Sequence, residues 1–212
     1  MPKKKIIRNS DFPYHISARS NNREWFSIPI SEVWKIFADY LYFISFAYRV
    51  EIHAFVLMSN HYHLLARTPE GNLDQAMLYL QRETSRWLAR ESGRINHVFG
   101  GPYHSSLIQD INHYNNVYKY ILRNPIGVGL ANKVEEYPYS SLRGLLGCEK
   151  LLFPTVGNLE LFTKTEEFLS WLNLEYQEEE REVIQKGIRR KSFELSRSRK
   201  TGKLPHLAGF SP

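Results

Sequence analysis

Two apolar stretches separated by one polar dipeptide constrain the fold of this chain more than any other feature. The first, residues 49–58, is rich in β-branched and aromatic residues, and the second, residues 62–66, follows soon after a Ser-Asn pair. Runs of this kind with short polar punctuation predict two strands, or one long bent strand. His61 and His63 lie where the second run begins, and they share one face of a strand because side chains alternate across it.

Periodicity in the rest of the chain predicts the order β-α-β-β-α-β-α, a ferredoxin-like βαββαβ plan with one helix added. The further predicted strands cover residues 12–19 and 103–109. The first predicted helix runs from its cap Ser31 to about Phe46, and the second runs from its cap Asn72, with Gln75 completing a capping box, to about Gly93. The third begins at Asp110 or Asn112 and is ended by Pro125. We therefore expect an α+β fold with an antiparallel sheet, followed by a basic C-terminal extension.

The added helix carries three tyrosines that fall on different sides of its helical wheel. At about 100° per residue, Tyr120 lies on a polar stripe with Asn124, one turn later. Tyr114 and Tyr118 lie on the apolar side, where we expect them to pack in the core. Tyr120 is therefore the tyrosine that this pattern leaves available for chemistry.

The histidine pair and the polar stripe together suit the cleavage of a phosphodiester. Two imidazoles and the amide oxygen of Asn124 are ligands for a divalent cation, and we expect Mg²⁺ or Mn²⁺, since imidazole suits Mn²⁺ and Mg²⁺ is abundant. The metal ligands are then His61, His63 and Asn124. The Tyr120 hydroxyl is the candidate nucleophile, and its attack would form a covalent phosphotyrosine.

Composition agrees with a polyanionic partner. The net charge of +6 and the isoelectric point of about 9.3 favour such a partner but do not choose between DNA, RNA and an anionic membrane surface. A single cysteine, Cys148, excludes an internal disulfide and suits a reducing cytoplasm. No apolar run is long enough to span a bilayer, so we expect a soluble cytoplasmic protein that does not bind a membrane.

Basic and amide side chains outside the catalytic set are candidates for contacts with DNA phosphates. They occur in the loop after the first strand, on the second helix and in the C-terminal region. The candidates are Arg19, Asn22, Arg23, Arg82, Arg86, Arg189, Arg190 and Lys191, and the basic run continues to Lys203. We expect the residues of this run to contact the phosphates of a nucleic acid.

Four motifs in order resemble the REP-associated tyrosine transposases, which belong to the single-tyrosine HUH, IS200-like superfamily. The motifs are YHISARSNNR at 14–23, MSNHYHLL at 58–65, YILRNP at 120–125 and YPYSS at 137–141. The resemblance covers about residues 12–147 and implies that residues 1–147 form the nuclease domain. Residues 148–212 would then form a helical and basic extension that clamps the duplex part of a hairpin. Two positions depart from the family pattern: Pro102 precedes Tyr103 where a basic residue is usual, and Arg123 stands where an apolar residue is more common.

The resemblance implies a bacterial, nucleoid-associated enzyme that acts on single-stranded or hairpin DNA. His61 and His63 match the two histidines of the family motif, Tyr120 matches the nucleophile, and Asn124 matches the polar third ligand. The implied reaction is DNA transposition by cutting and rejoining strands, with a 5′-phosphotyrosine intermediate and a free 3′-hydroxyl.

Two alternatives from other functional classes stand beside this prediction. A ferredoxin-like sheet can bind single-stranded nucleic acid by stacking, without any catalysis. A zinc hydrolase could use the histidines, although no third ligand stands at motif spacing. The sequence leaves open which DNA sequence is recognised, whether the gene is mobile or domesticated, and whether the protein is a homodimer.

Overall fold

A computed structural model describes residues 7–195 and residue 210, and it confirms the predicted α+β fold with an antiparallel sheet. The strands of this part of the chain are β1 (Tyr14–Arg19), β2 (Glu51–Leu57), β3 (His61–Arg67) and β4 (His104–Leu107). The helices are α1 (Ile30–Ala47), α2 (Leu73–Ser92), α3 (Ile111–Arg123), α4 (Ser141–Leu145), α5 (Leu159–Thr163), α6 (Thr165–Asn173) and α7 (Glu178–Gly187). The sheet order is β2-β3-β1-β4, and the order β-α-β-β-α-β-α of the first seven elements is as predicted.

The two faces of the sheet are covered by different parts of the chain. Helices α1 and α2 pack on one face against the side chains of alternate strand residues, among them Ile16, Phe55 and Leu64. Helix α3 and the C-terminal helices pack on the other face, against Val56 and Leu65. Strand alternation therefore directs every second residue of β1 and β3 toward α3.

The residues that cap the helices differ from the predictions for α1 and α2 but agree for α3. The first helix begins at Ile30 after Pro29, so Ser31 lies inside it and is not its cap. Asn72 is at the predicted cap position, but its amide donates to the Tyr48 carbonyl oxygen at 3.1 Å and makes no capping bond. Asp110 does cap α3, accepting from two backbone N–H groups, and the helix ends at Arg123 as Pro125 predicts.

The C-terminal extension contributes side chains to the core on the α3 face of the sheet. Phe168 and Ile184 are fully buried, and they belong to the same apolar cluster as Tyr118. The charged composition of the segment after Gly187 predicts that it adds little to the core. This is wrong for the part up to residue 195, since Phe193 is only 4% exposed. The further basic residues from Arg197 to Lys203 lie outside the described residues.

Polar contacts also hold the extension on α3. The Lys119 ammonium lies 4.7 Å from the centroids of both the Trp171 and Tyr176 rings, a cation–π arrangement. Arg123 donates to the carbonyl oxygens of Leu172 and Asn173 at the end of α6, which explains a charged residue at a position that is more often apolar. No helix in the described part of the chain is long and apolar enough to cross a membrane.

The predicted domain boundary near residue 147 can be tested through Phe168, whose ring contacts Tyr118 of α3. We expect Phe168→Ala to lower the free energy of unfolding of the whole chain by about 3–5 kcal/mol, since it empties a fully buried site shared by both parts. Urea denaturation followed by circular dichroism measures this. Phe162→Ala is the control, because that ring is 57% exposed. A separate, weaker transition for the extension alone would contradict a shared core.

Candidate active site

Three histidines come together on the sheet face that is turned toward α3. In the antiparallel register, Ser17 pairs with His63 and Arg19 with His61, so these four side chains share one face with His15. His15 Nε2 lies 2.8 Å from His63 Nδ1, and both rings are buried. The predicted histidine pair therefore has a third, buried imidazole beside it.

Hydrogen bonds at the Nδ1 atoms decide which nitrogens of the predicted pair are available. His61 Nδ1–H donates to Asn60 Oδ1 at 2.7 Å, which leaves Nε2 with its lone pair. The Nδ1 atom of His63 is engaged with His15, so its Nε2 is likewise the atom left for a further partner. The ring centroids of His61 and His63 are 5.1 Å apart. In metal-binding histidines, a hydrogen bond at one ring nitrogen commonly fixes the ring while the other nitrogen binds the metal. The Nδ1 and Nε2 atoms of His61 and His63 are arranged in this way.

Helix α3 brings Tyr120 to these histidines. The Tyr120 ring is edge-on to His63 with centroids 5.8 Å apart, and it lies 6.4 Å from the His15 ring. Burial raises the pKa of the Tyr120 phenol, and the positive charges of Arg181 and Arg189 oppose that rise. The other two tyrosines of α3 face away from the histidine cluster. Tyr118 is fully buried in the core, whereas Tyr114 is half-buried and hydrogen-bonded to His53.

Asn124 is the residue after the last turn of α3, and it lines the same cavity as Tyr120. Its amide donates to the Tyr120 carbonyl oxygen at 2.8 Å. This bond orients the side chain, and among the described residues no donor is bonded to its Oδ1. The cavity has a volume of about 370 Å³ and is lined by His15, Ser17, Arg19, Met58, His61, His63, His104, Tyr120, Asn124, Val128, Arg181, Gln185, Ile188 and Arg189.

Asn60 connects the histidine pair to the loop that carries two of the predicted DNA contacts. Its Nδ2 donates to the Arg23 carbonyl oxygen at 2.7 Å, while its Oδ1 accepts from His61. Asn22 and Arg23 both have positive φ angles, 55° and 60°, which are uncommon for such residues. Their side chains are exposed beside a cavity of about 530 Å³ that also contains the histidine pair. The predicted loop residues and the histidines thus line one space, together with Arg19.

Arg82 and Arg86 lie farther along the surface, on α2. Both pair with Glu83, at 2.8 and 3.2 Å. They line a groove of about 560 Å³ whose walls include Gly100 and Gly101. These two glycines also line the cavity of about 530 Å³ that contains the histidine pair and Arg23. The structure therefore does not bring the two arginines to Tyr120, but to a groove that adjoins the site.

The three predicted basic residues of the C-terminal region separate in the structure. Arg189 lines the cavity with Tyr120. Arg190 forms an ion pair with Glu194 at 3.0 Å. Lys191 accepts a hydrogen bond from the Leu107 N–H through its carbonyl oxygen, which attaches the segment to the end of β4.

The histidine, arginine and glutamine side chains of the site that were not predicted from the sequence number four. His15 and His104 lie on β1 and β4, and only the sheet register shows that they face the same side as His63. Arg181 and Gln185 are spaced four apart, which predicts one helix face, but no sequence signal shows what that face contacts. Among the described residues, no group of three or more His, Cys, Asp or Glu side chains is arranged to hold a metal ion.

Comparisons with known proteins agree with this architecture. A family model described as "Transposase IS200 like" matches residues 9–124. A solved REP-associated tyrosine transposase, bound to a REP hairpin, aligns with 73% of this chain and 89% of its own at 18% identity and a TM-score of 0.57, which shows a shared fold. A second structure, a candidate transposase from Deinococcus radiodurans R1, aligns with 57% of this chain and 95% of its own at 18% identity, with a TM-score of 0.39. Among curated protein sequences, no relative is found.

The buried histidines predict a pH-dependent stability. Burial lowers the pKa of His15 to about 3 and that of His61 to about 4, whereas both are near 6.5 in an unfolded chain. Between pH 6.5 and 4 the unfolded chain binds more protons than the folded chain. The free energy of unfolding therefore decreases as the pH is lowered, by up to about 1.4 kcal/mol per pH unit for each histidine.

Two measurements in metal-free buffer check this prediction. Urea denaturation at pH 7 and pH 5 should give a smaller free energy of unfolding at pH 5. The imidazole NMR signals of His15 and His61 should stay at their neutral positions between pH 5 and 8. A midpoint near pH 6 for either ring would contradict the burial argument.

Proposed function

The chain belongs to the IS200-like transposase family, and from this membership we propose that it is a metal-dependent single-stranded DNA endonuclease and strand transferase with Tyr120 as the nucleophile. The observation that carries the proposal is the contact between the Tyr120 ring and the buried pair of His15 and His63, within a cavity that also contains His61 and Asn124. A protein that only binds DNA needs no such buried cluster.

The donor set fits a divalent cation, Mg²⁺ or Mn²⁺. His61 and His63 each have one ring nitrogen engaged and the other available, and Asn124 adds an amide oxygen. For His63 to offer Nε2, its Nδ1–H must donate to His15 Nε2, which leaves the buried His15 Nδ1 without a partner among the described residues. When bound, the cation would polarise the scissile phosphate and leave open positions for its oxygens.

The covalent step uses the Tyr120 hydroxyl. Its oxygen attacks phosphorus, the Tyr120 Oη–P bond forms, and the P–O3′ bond breaks. The electron pair goes to O3′, which takes a proton, while the phenol proton passes to solvent. The products are a 5′-phosphotyrosine and a free 3′-hydroxyl. Attack by a 3′-hydroxyl on the same phosphorus reverses the step and rejoins a strand, with no ATP.

We propose single-stranded or hairpin DNA as the substrate. The fold is shared with a REP-associated tyrosine transposase that was solved with a REP hairpin. The cavities at the histidines and at Arg82 adjoin one another, which suits a strand that follows the surface from α2 to Tyr120. Exposed Arg19 and Arg23 lie on this route and would contact phosphates.

The nucleophile is tested by one hydroxyl deletion. The substrate is labelled single-stranded DNA with the sequences that flank the gene on both sides. In Mn²⁺ or Mg²⁺ it should become covalently attached to the wild-type protein, in an adduct that survives denaturing electrophoresis. It should never become attached to Tyr120→Phe, which loses the attacking oxygen. Tyr118→Phe is the matched control, because its buried hydroxyl has no hydrogen-bond partner among the described residues. An adduct in Tyr120→Phe that disappears in Tyr118→Phe would refute the assignment.

The metal is tested by its removal. Adduct formation should stop in EDTA and return with Mn²⁺ or Mg²⁺, and His63→Ala should abolish it while single-strand binding changes little, since binding depends on phosphate contacts. Calorimetric titration with Mn²⁺ supplies a readout without DNA, and His63→Ala should lose this binding. Full adduct formation in EDTA would remove the cation from the mechanism.

A further inference from the structure

The C-terminal extension directs three polar side chains toward Tyr120. Arg181 and Gln185 lie on α7, and Arg189 follows just beyond its end. A spacing of four residues places side chains on one helix face. All three line the cavity of about 370 Å³ that contains Tyr120 and the histidine pair. The cavity thus has a wall from the sheet and a wall from the extension.

The two arginines of this wall are available to a ligand. Within residues 7–195 and 210, neither Arg181 nor Arg189 forms an ion pair, although Arg181 also lines an adjoining cavity with Glu175 and Glu178. Lys186, on another side of α7, instead pairs with Glu182 at 2.6 Å. Both guanidinium side chains are exposed, so an incoming phosphate can reach them.

Hydrogen bonds fix this wall to the sheet that carries the histidines. His104 Nε2–H, from β4, donates to the Ile188 carbonyl oxygen at 2.8 Å. Leu107 N–H donates to the Lys191 carbonyl oxygen and Phe193 N–H to the Leu107 carbonyl oxygen, both at 2.8 Å. The end of α7 is therefore attached to β4, which pairs with β1 beside the histidines.

Arg181 also packs closely against the turn after α3. A Cβ atom added to Gly127 would lie 2.9 Å from a terminal nitrogen of Arg181. The guanidinium thus lies against the backbone of this turn, and the absence of a side chain at Gly127 gives it room.

We infer that Arg181 and Arg189 bind the phosphate attacked by Tyr120. The inference rests on the proposed function and adds the extension to its site. A guanidinium presents paired donors that match phosphate oxygens, and donors fixed in advance stabilise the charge that develops there in the transition state. The family match ends at residue 124, before α7.

The first experiment uses inorganic phosphate and needs no DNA. In metal-free buffer, phosphate should shift the NMR signals of the Arg181 and Arg189 Nε–H groups, assigned with the single Arg181→Met and Arg189→Met variants of the full chain. The apparent affinity should fall at least about tenfold in the double variant, equivalent to about 1.4 kcal/mol. Lys186→Met removes a charge from the same helix and should leave the affinity unchanged. The inference is overturned if phosphate shifts neither arginine signal, or if Lys186→Met loses as much phosphate affinity as the double variant.

The second experiment measures the first-order rate of adduct formation at saturating single-stranded DNA. Arg181→Met and Arg189→Met should each lower it by about 10²-fold, the usual cost of one lost transition-state donor. DNA affinity should change only a few-fold, and Lys186→Met should keep the wild-type rate. Gly127→Ala keeps every charge but crowds Arg181, and should also slow the reaction. Thermal unfolding identifies any variant that is not folded.

The outcomes separate this inference from the proposed function. Phosphate shifts at both arginines without any adduct in the wild type would refute the nuclease and support the phosphate site. A normal adduct rate in the double variant would refute the phosphate site and leave the nuclease standing.

Discussion

The antiparallel register between β1 and β3 is the constraint on which the site depends. It pairs Ser17 with His63 and Arg19 with His61, and so directs all of their side chains to one face. His15 lies two residues from Ser17, which puts its ring diagonal to His63 and within hydrogen-bond distance. A slip of one residue would turn these side chains to the α1 and α2 face, where the core is largely apolar. Apolar residues at the alternate positions, which pack against those helices, therefore fix the geometry of the candidate site as well as the core.

Coverage of the second face explains why the chain continues beyond the ferredoxin-like unit. Helix α3 has an apolar side, with Tyr118 and Ile121 fully buried, and it needs partners beyond the sheet. The extension supplies them through Phe168 and Ile184, so α3 is buried between the sheet and the extension. This arrangement holds Tyr120 beside the histidines, because α3 cannot rotate without disturbing apolar contacts on both of its sides.

The order of elements, the α+β class and the place of Tyr120 were predictable because they depend on local patterns. Strand alternation, the Asp110 cap and the stop at Pro125 each act within a few residues. The contribution of His15 was not predictable, since it depends on pairing between segments that are far apart in the chain. Phe193 was missed for a related reason, because an isolated aromatic residue in a charged segment shows no periodicity, and its burial depends on contacts with β4 and α3. The predicted contacts of Arg82 and Arg190 with DNA remain predictions, and both side chains have acidic partners.

A buried phenol is a poor nucleophile unless its surroundings favour the charged form. Burial raises the pKa of Tyr120, and the histidines beside it are neutral, since burial also lowers the pKa of His15 to about 3. Neutral imidazoles can ligate a cation, but they cannot offset the charge of a phenolate. In the proposed mechanism, positive charge would come from the cation and from arginine side chains. These are Arg181 and Arg189 of the extension and Arg19 at the end of β1, each of which lowers the pKa of Tyr120. On this argument the catalytic unit includes α7, although the residues that resemble the family all precede it.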